Sequence, residues 1–178
     1  MNMKKLSAAV VVMLGLGVSA AQADDGSLNF TGEVSASSCS VAASSTVVPV
    51  TFDSYAASSL NNMAAGGTSA GLQRPFSITL AGCPEGLSVA KIKLDGKTSG
   101  ITPNVFVGNS TARYVGIVIS DAATNTVITP KEFGGAQEIV PGATNTLNYL
   151  VGLTKTTTES AAVAGTIDVP VTFTMSYE

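Results

Sequence analysis

The residues Thr166-Ile167-Asp168-Val169-Pro170-Val171-Thr172-Phe173-Thr174-Met175-Ser176-Tyr177-Glu178 decide how the rest of the chain is read. Ile167, Val169, Val171, Phe173, Met175 and Tyr177 alternate with polar residues and one proline, a period of two that suits a half-buried strand and not a helix. A strand has two backbone edges, and the sequence holds no residues after Glu178 that could hairpin back onto the second one. The expectation is an edge that something must cover, with the cover supplied by another polypeptide. Pro170 has no N–H to give to a ladder, so a bulge or a gap in pairing is expected there.

The same period recurs upstream. Leu28, Phe30, Gly32 and Val34 alternate with Asn29, Thr31, Glu33 and Ser35, placing three apolar side chains and one glycine on one face. A glycine on the apolar face of a strand marks close approach by another backbone or a filled pocket. Val48, Val50 and Phe52 alternate around Pro49; Phe76, Ile78 and Leu80 run up to Gly82-Cys83-Pro84; Ala90, Ile92 and Leu94 alternate with Lys91, Lys93 and Asp95. Val105 and Val107 read as a short strand, and Val115, Ile117 and Ile119 as a longer one, with Gly116 inside it for packing or a bulge. Val127-Ile128 follows a turn, and Leu147, Tyr149, Val151 and Leu153 alternate cleanly. Residues 53–71 read as a long surface connection with one helical turn, residues 130–142 as irregular, and residues 154–165 as a Thr-rich turn region. Eight or nine short strands spaced about ten residues apart, without a convincing amphipathic helix, predict an all-β antiparallel sandwich.

The first residues read as an address. Lys4 and Lys5 form a basic head, residues 6–18 an apolar core too short to span a bilayer, and Ala21-Gln22-Ala23 a small-x-small cleavage site. Cleavage after Ala23 would leave one domain of ordinary size. Removing those two lysines from nine basic residues leaves seven against twelve acidic ones, a net charge of −5. Nucleic acid and anionic membrane are therefore not expected as partners. Cys39 and Cys83 are the only cysteines, and an exported chain meets an oxidising compartment, so one disulfide is expected. A redox or metal-binding pair would need a CxxC spacing or further soft ligands, and the chain has no His. Asp53, Asp95 and Asp121 are scattered at turns, where Asp is favoured for its own backbone hydrogen bonds. No catalytic residue, metal ligand or cofactor is assigned, and an enzyme is not expected.

Several of these stretches together resemble the subunits of chaperone–usher fimbriae of the type 1 and P type. They are Phe30-Thr31-Gly32, Ser38-Cys39-Ser40-Val41, Phe76-Ser77-Ile78-Thr79-Leu80 before Cys83, Val115-Gly116-Ile117-Val118-Ile119 with Asp121, and Thr146-Leu147-Asn148-Tyr149. Gly165, fourteenth from the C-terminus counting Glu178 as first, and the penultimate Tyr177 complete the pattern. The resemblance implies an immunoglobulin-like antiparallel sandwich that lacks its final strand and carries an N-terminal donor-strand extension. It divides the chain into a signal peptide (1–23), the extension (24–36) and the pilin domain (37–178). Leu28, Phe30, Gly32 and Val34 would be the donor strand, Gly32 entering a shallow pocket. Gly165, Ile167, Val169, Val171, Phe173, Met175 and Tyr177 would form one wall of the acceptor groove. The implied partners are identical or related pilin subunits, a periplasmic chaperone, an outer-membrane usher and, through the assembled fimbria, a host receptor. The implied route runs through the periplasm to a cell-surface fimbrium. Two other readings are a receptor-binding fimbrial adhesin and a monomeric exported sandwich whose own extension fills its groove.

Overall fold

In the segment from Asn145 to Lys155 the residues Leu147, Tyr149, Val151 and Leu153 are buried while Thr146 and Asn148 are exposed, the alternation of a strand with one face on a core. The computed structural model, which describes residues 38–178, holds six more strands. In chain order they are β1 (Ser40–Val41), β2 (Gln73–Ala81), β3 (Val89–Gly96), β4 (Val115–Asp121), β5 (Phe133–Glu138), β6 (Asn145–Lys155) and β7 (Val171–Tyr177). A five-residue helix, α1 (Ala57–Asn61), interrupts the connection from β1 to β2. None of the described helices is long and apolar enough to cross a membrane.

The strands form two antiparallel sheets, β1-β2-β6-β4 and β5-β3-β7. Ile78 and Leu80 of β2, Ile117 and Ile119 of β4 and Leu147, Tyr149 and Val151 of β6 meet Ala90, Ile92 and Leu94 of β3 in one core. Two facing sheets sharing one core make an immunoglobulin-like sandwich. One long side of it is closed by side chains. Gln137 of β5 donates from Nε2 to Asp121 Oδ2 and to the Asn148 carbonyl, each at 2.9 Å, and accepts the Asn148 N–H at 2.9 Å. Asp121 Oδ1 in turn accepts from the N–H groups of Ala123 and Thr124, both at 2.9 Å. The buried carboxylate is thus fully satisfied, the condition under which a buried charge is tolerated.

Several elements differ from the sequence reading. Residues 130–142 are not irregular throughout, because β5 lies among them and pairs with β3 through a register shift between Ala90 and Ile92. Its sequence, Phe133-Gly-Gly-Ala-Gln-Glu, lies on a sheet edge and carries no apolar alternation. Val48, Val50 and Phe52 do not join a ladder; their segment runs along the open side of the sandwich. Val105 and Val107 make no strand and flank Phe106, which forms two isolated bridges, to Thr98 and to Ile117. Gly116 is a packing position: a Cβ there would sit 2.5 Å from the Phe106 carbonyl oxygen. The terminal strand begins at Val171, not at Ile167.

Cys39 and Cys83 are joined, fastening the start of β1 to the turn after β2. Both are buried. Closing a loop of 44 positions constrains the unfolded chain, so replacing both cysteines by serine should lower the unfolding free energy by about 2–4 kcal/mol. Urea unfolding of the oxidised chain and of the double variant checks this.

Candidate functional site

The last strand has two different edges. One pairs with β3 from Ala90↔Tyr177 to Gly96↔Val171, and the other pairs with no strand among the described residues. Upstream of Pro170 the chain changes partner. The Thr166 and Asp168 carbonyls accept from Ala112 N (3.1 Å) and Asn109 N (2.9 Å). Their N–H groups donate to Thr111 Oγ1 (2.7 Å) and Ser110 Oγ (2.9 Å). Pro170 therefore sits between two sets of pairings, where its missing N–H removes nothing from either. The partner change at this proline is why the even alternation of residues 166–177 does not make one continuous strand.

Gly165 lies at the start of this segment. A Cβ there would fall 2.5 Å from the Thr111 carbonyl carbon and 2.7 Å from Ala112 Cα. Only a glycine lets the segment lie against residues 111–112 closely enough to form the hydrogen bonds just described.

Along the unpaired edge of β7 runs a groove of about 1010 Å³. Gly165, Ile167, Val169, Val171 and Phe173 line one side of it, and Val48, Val50, Phe52 and Tyr55 the other. Its floor is the sandwich core itself: Ile78, Ile117, Ile119, Val151 and Leu153 from one sheet, Ile92 and Leu94 from the other. A second recess of about 480 Å³ extends it past Phe173, Met175 and Tyr177, facing Ser38, Cys39 and Val41. The seven terminal-strand residues singled out in the sequence thus lie along one continuous opening. The six apolar ones among them are half-buried, packed against the core on one side and open to the groove on the other. Leu28, Phe30, Gly32 and Val34 lie outside the described residues.

The opposite wall and the floor were not assigned from sequence. Val48, Val50 and Phe52 did show alternation, but nothing in it says that this stretch would stand across a gap from β7. A deep apolar trough beside an unsatisfied strand edge suits an extended segment that brings backbone hydrogen bonds and alternate apolar side chains.

The sequence model of the family described as Fimbrial protein matches residues 28–178. The chain belongs to the fimbrial protein family. Among its relatives is the uncharacterized fimbrial-like protein SfmA of Escherichia coli (strain K12), 32% identical over 188 aligned positions spanning 100% of both chains. The fold is similar to that of the P pilus rod subunit PapA, with a TM-score of 0.64, 20% identity, and coverage of 79% of this chain and 99% of that one. A chaperone–usher pilus structure gives a TM-score of 0.63 at 22% identity, over 86% of this chain and 95% of the other. At these identities the two structures speak for the fold, which is the pilin sandwich. The chain is accordingly a structural subunit of a fimbria, in a family that is structural and not enzymatic, and its place is the surface fimbrium.

Tyr149 stands beneath this architecture, fully buried and stacked on Phe76 at 5.4 Å between ring centroids. Its hydroxyl has no hydrogen-bond partner. Burial, and secondarily the charges of Asp121 and Tyr177, push its pKa far above the ordinary 10.0, while burial also raises that of Tyr177. A raised folded-state pKa means that the neutral phenol is favoured by folding. That contribution is complete below about pH 10 and is lost as the pH climbs toward the folded-state value. Stability should therefore fall in strongly alkaline solution. Tyr149→Phe should retain more of it there, and should cost less than about 1 kcal/mol at pH 7 because the hydroxyl it removes is unsatisfied. Denaturation midpoints at pH 7 and pH 11 for both proteins check the sign.

Proposed function

We propose that this fimbrial subunit polymerises by donor-strand exchange, its groove receiving residues 28–34 of the next copy. The observation that carries the reading is the groove itself, an apolar trough opening onto the core along the unpaired edge of β7. The sequence of residues 28–34 has the complementary form: Leu28, Phe30 and Val34 supply alternate apolar side chains, and Gly32, with no side chain, leaves room for a close approach to the floor. Before assembly a periplasmic chaperone fills the same groove, an outer-membrane usher then passes the subunit outward, and the finished fimbria serves adhesion to a host receptor. Residues 1–23 are the cleaved address, residues 24–36 the donor extension and residues 37–178 the pilin domain.

Each large donor side chain buried from water contributes about 1.5–3 kcal/mol, and each ladder hydrogen bond about 0.5–1.5 kcal/mol net. Ordering the extension costs about 1–2 kcal/mol per residue. These terms are of similar size, so equilibrium affinity alone does not explain a durable filament. A strand threaded between two walls leaves only when the sandwich is disrupted, which makes the joint kinetically stable. Because donor and acceptor are different surfaces of one chain, the contact is heterologous and propagates.

Deletion of residues 24–34, expressed beside a cognate chaperone, should give a stable one-to-one chaperone complex that accepts a donor but cannot supply one. Normal polymerisation of the truncated protein would show the donor assignment to be wrong. Gly32→Asn should slow assembly measurably, and unchanged kinetics would sink the close-approach argument for that glycine.

A further inference from the structure

The two walls of the groove are built differently. β7 is a ladder strand fixed along β3. The facing wall, residues 47–55, makes no backbone–backbone hydrogen bond with any described residue. It is held from within by Val50, Phe52 and Tyr55, which pack partly buried against the core. Tyr55 contributes no hydrogen bond, since its hydroxyl is buried without a partner.

One residue supplies the polar attachment. Arg74, near the start of β2, donates from Nη2 to Asp53 Oδ2 and places its guanidinium 5.4 Å from the centre of the Tyr55 ring. A third contact, from Nη1 to the Gln73 carbonyl at 2.8 Å, sets the guanidinium in place. Arg74 itself is registered opposite Val151 on β6, so it stands on the most extensively paired part of the fold. The planar guanidinium can grip a carboxylate with one edge and lie over an aromatic face at the same time, which an ammonium does less well.

We propose that Arg74 is the latch on this wall, and that its release from Asp53 and Tyr55 sets how readily one occupant of the groove gives way to another. The inference rests on the donor-strand reading for the identity of the occupant. A segment with nine consecutive residues outside any backbone ladder opens locally at low cost, and it borders the groove over its whole main part. Swinging it outward widens the groove without disturbing β7 or the seam at Gln137. A seated donor would then hydrogen-bond to the free backbone groups of residues 47–55 and hold the wall from the other side. The latch therefore matters most while the groove changes hands and least in the finished joint.

The test uses the full exported chain and its Arg74→Met variant, which keeps the aliphatic stem and loses the charge. Amide hydrogen exchange across residues 47–55 should rise in the variant while β3 and β6 keep their protection. Entry of a labelled synthetic peptide of residues 24–36 should be faster by about two- to tenfold, the range given by an exposed ion pair together with a cation–π contact. Added salt should speed peptide entry more in the parent chain than in the variant: repulsion between the acidic peptide and the acidic chain is screened in both, but only the parent also has the Arg74–Asp53 pair to screen, Asp53 being largely exposed. Unchanged exchange in residues 47–55, or an equal salt response in both proteins, would overturn the latch. Failure of the peptide to enter the parent chain counts against the donor-strand reading instead, and the hydrogen-exchange comparison then still decides the latch by itself.

Discussion

The structure depends on a gap in its own core. Ile78, Ile92 and Leu147 are sealed from solvent, whereas Val171, Phe173 and Met175 belong to the same apolar interior and remain half open. Apolar side chains and an unpaired strand edge in one trough are costly in water for two separate reasons. Hydrocarbon is left exposed, and a row of backbone groups is left available for pairing with another chain. One extended segment with alternating apolar residues answers both. The shape of the opening thus limits what can fill it more strongly than any single residue in it does.

The remaining interactions keep that gap in place. On the closed side Gln137 bridges β5 to β6 and to the buried Asp121 carboxylate, so the two sheets are joined there by side-chain hydrogen bonds. At the end near Tyr177 the disulfide holds β1 beside the recess that Cys39 helps to line. At the other end Gly165 lets residues 166–168 lie against residues 109–112. β7 and both ends of the groove are therefore tied to paired parts of the fold. The wall at residues 47–55 is the exception, tied down by apolar anchors and Arg74.

Much of this was legible in the sequence because a strand with one buried face must alternate. β3, β4, β6 and β7 all announce themselves through apolar or aromatic residues at every second position, and the pairing of Cys39 with Cys83 follows from there being two cysteines in an exported chain. β5 was not legible, since an edge strand made of Phe133-Gly-Gly-Ala-Gln-Glu is held by backbone pairing with β3 and by Gln137, neither of which leaves a periodic trace. Within the wall at residues 47–55, Val48, Val50 and Phe52 read as a strand because they alternate, and residues 53–55 as the start of a surface connection. That alternation reports a face lying on the core and says nothing about whether the backbone has a neighbour.

For the terminal segment the division is clearest. The sequence by itself determined which side chains of residues 166–177 share a face, because side-chain direction along an extended chain follows from its two-residue period. Only the tertiary structure decided what lies on either side of that face. Pro170 interrupts no ladder because the chain changes partner there, from residues 109–112 to β3, and the groove exists because residues 47–55 stand off from β7 without pairing to it. Both depend on contacts between residues distant in the chain, and a local period carries no information about those.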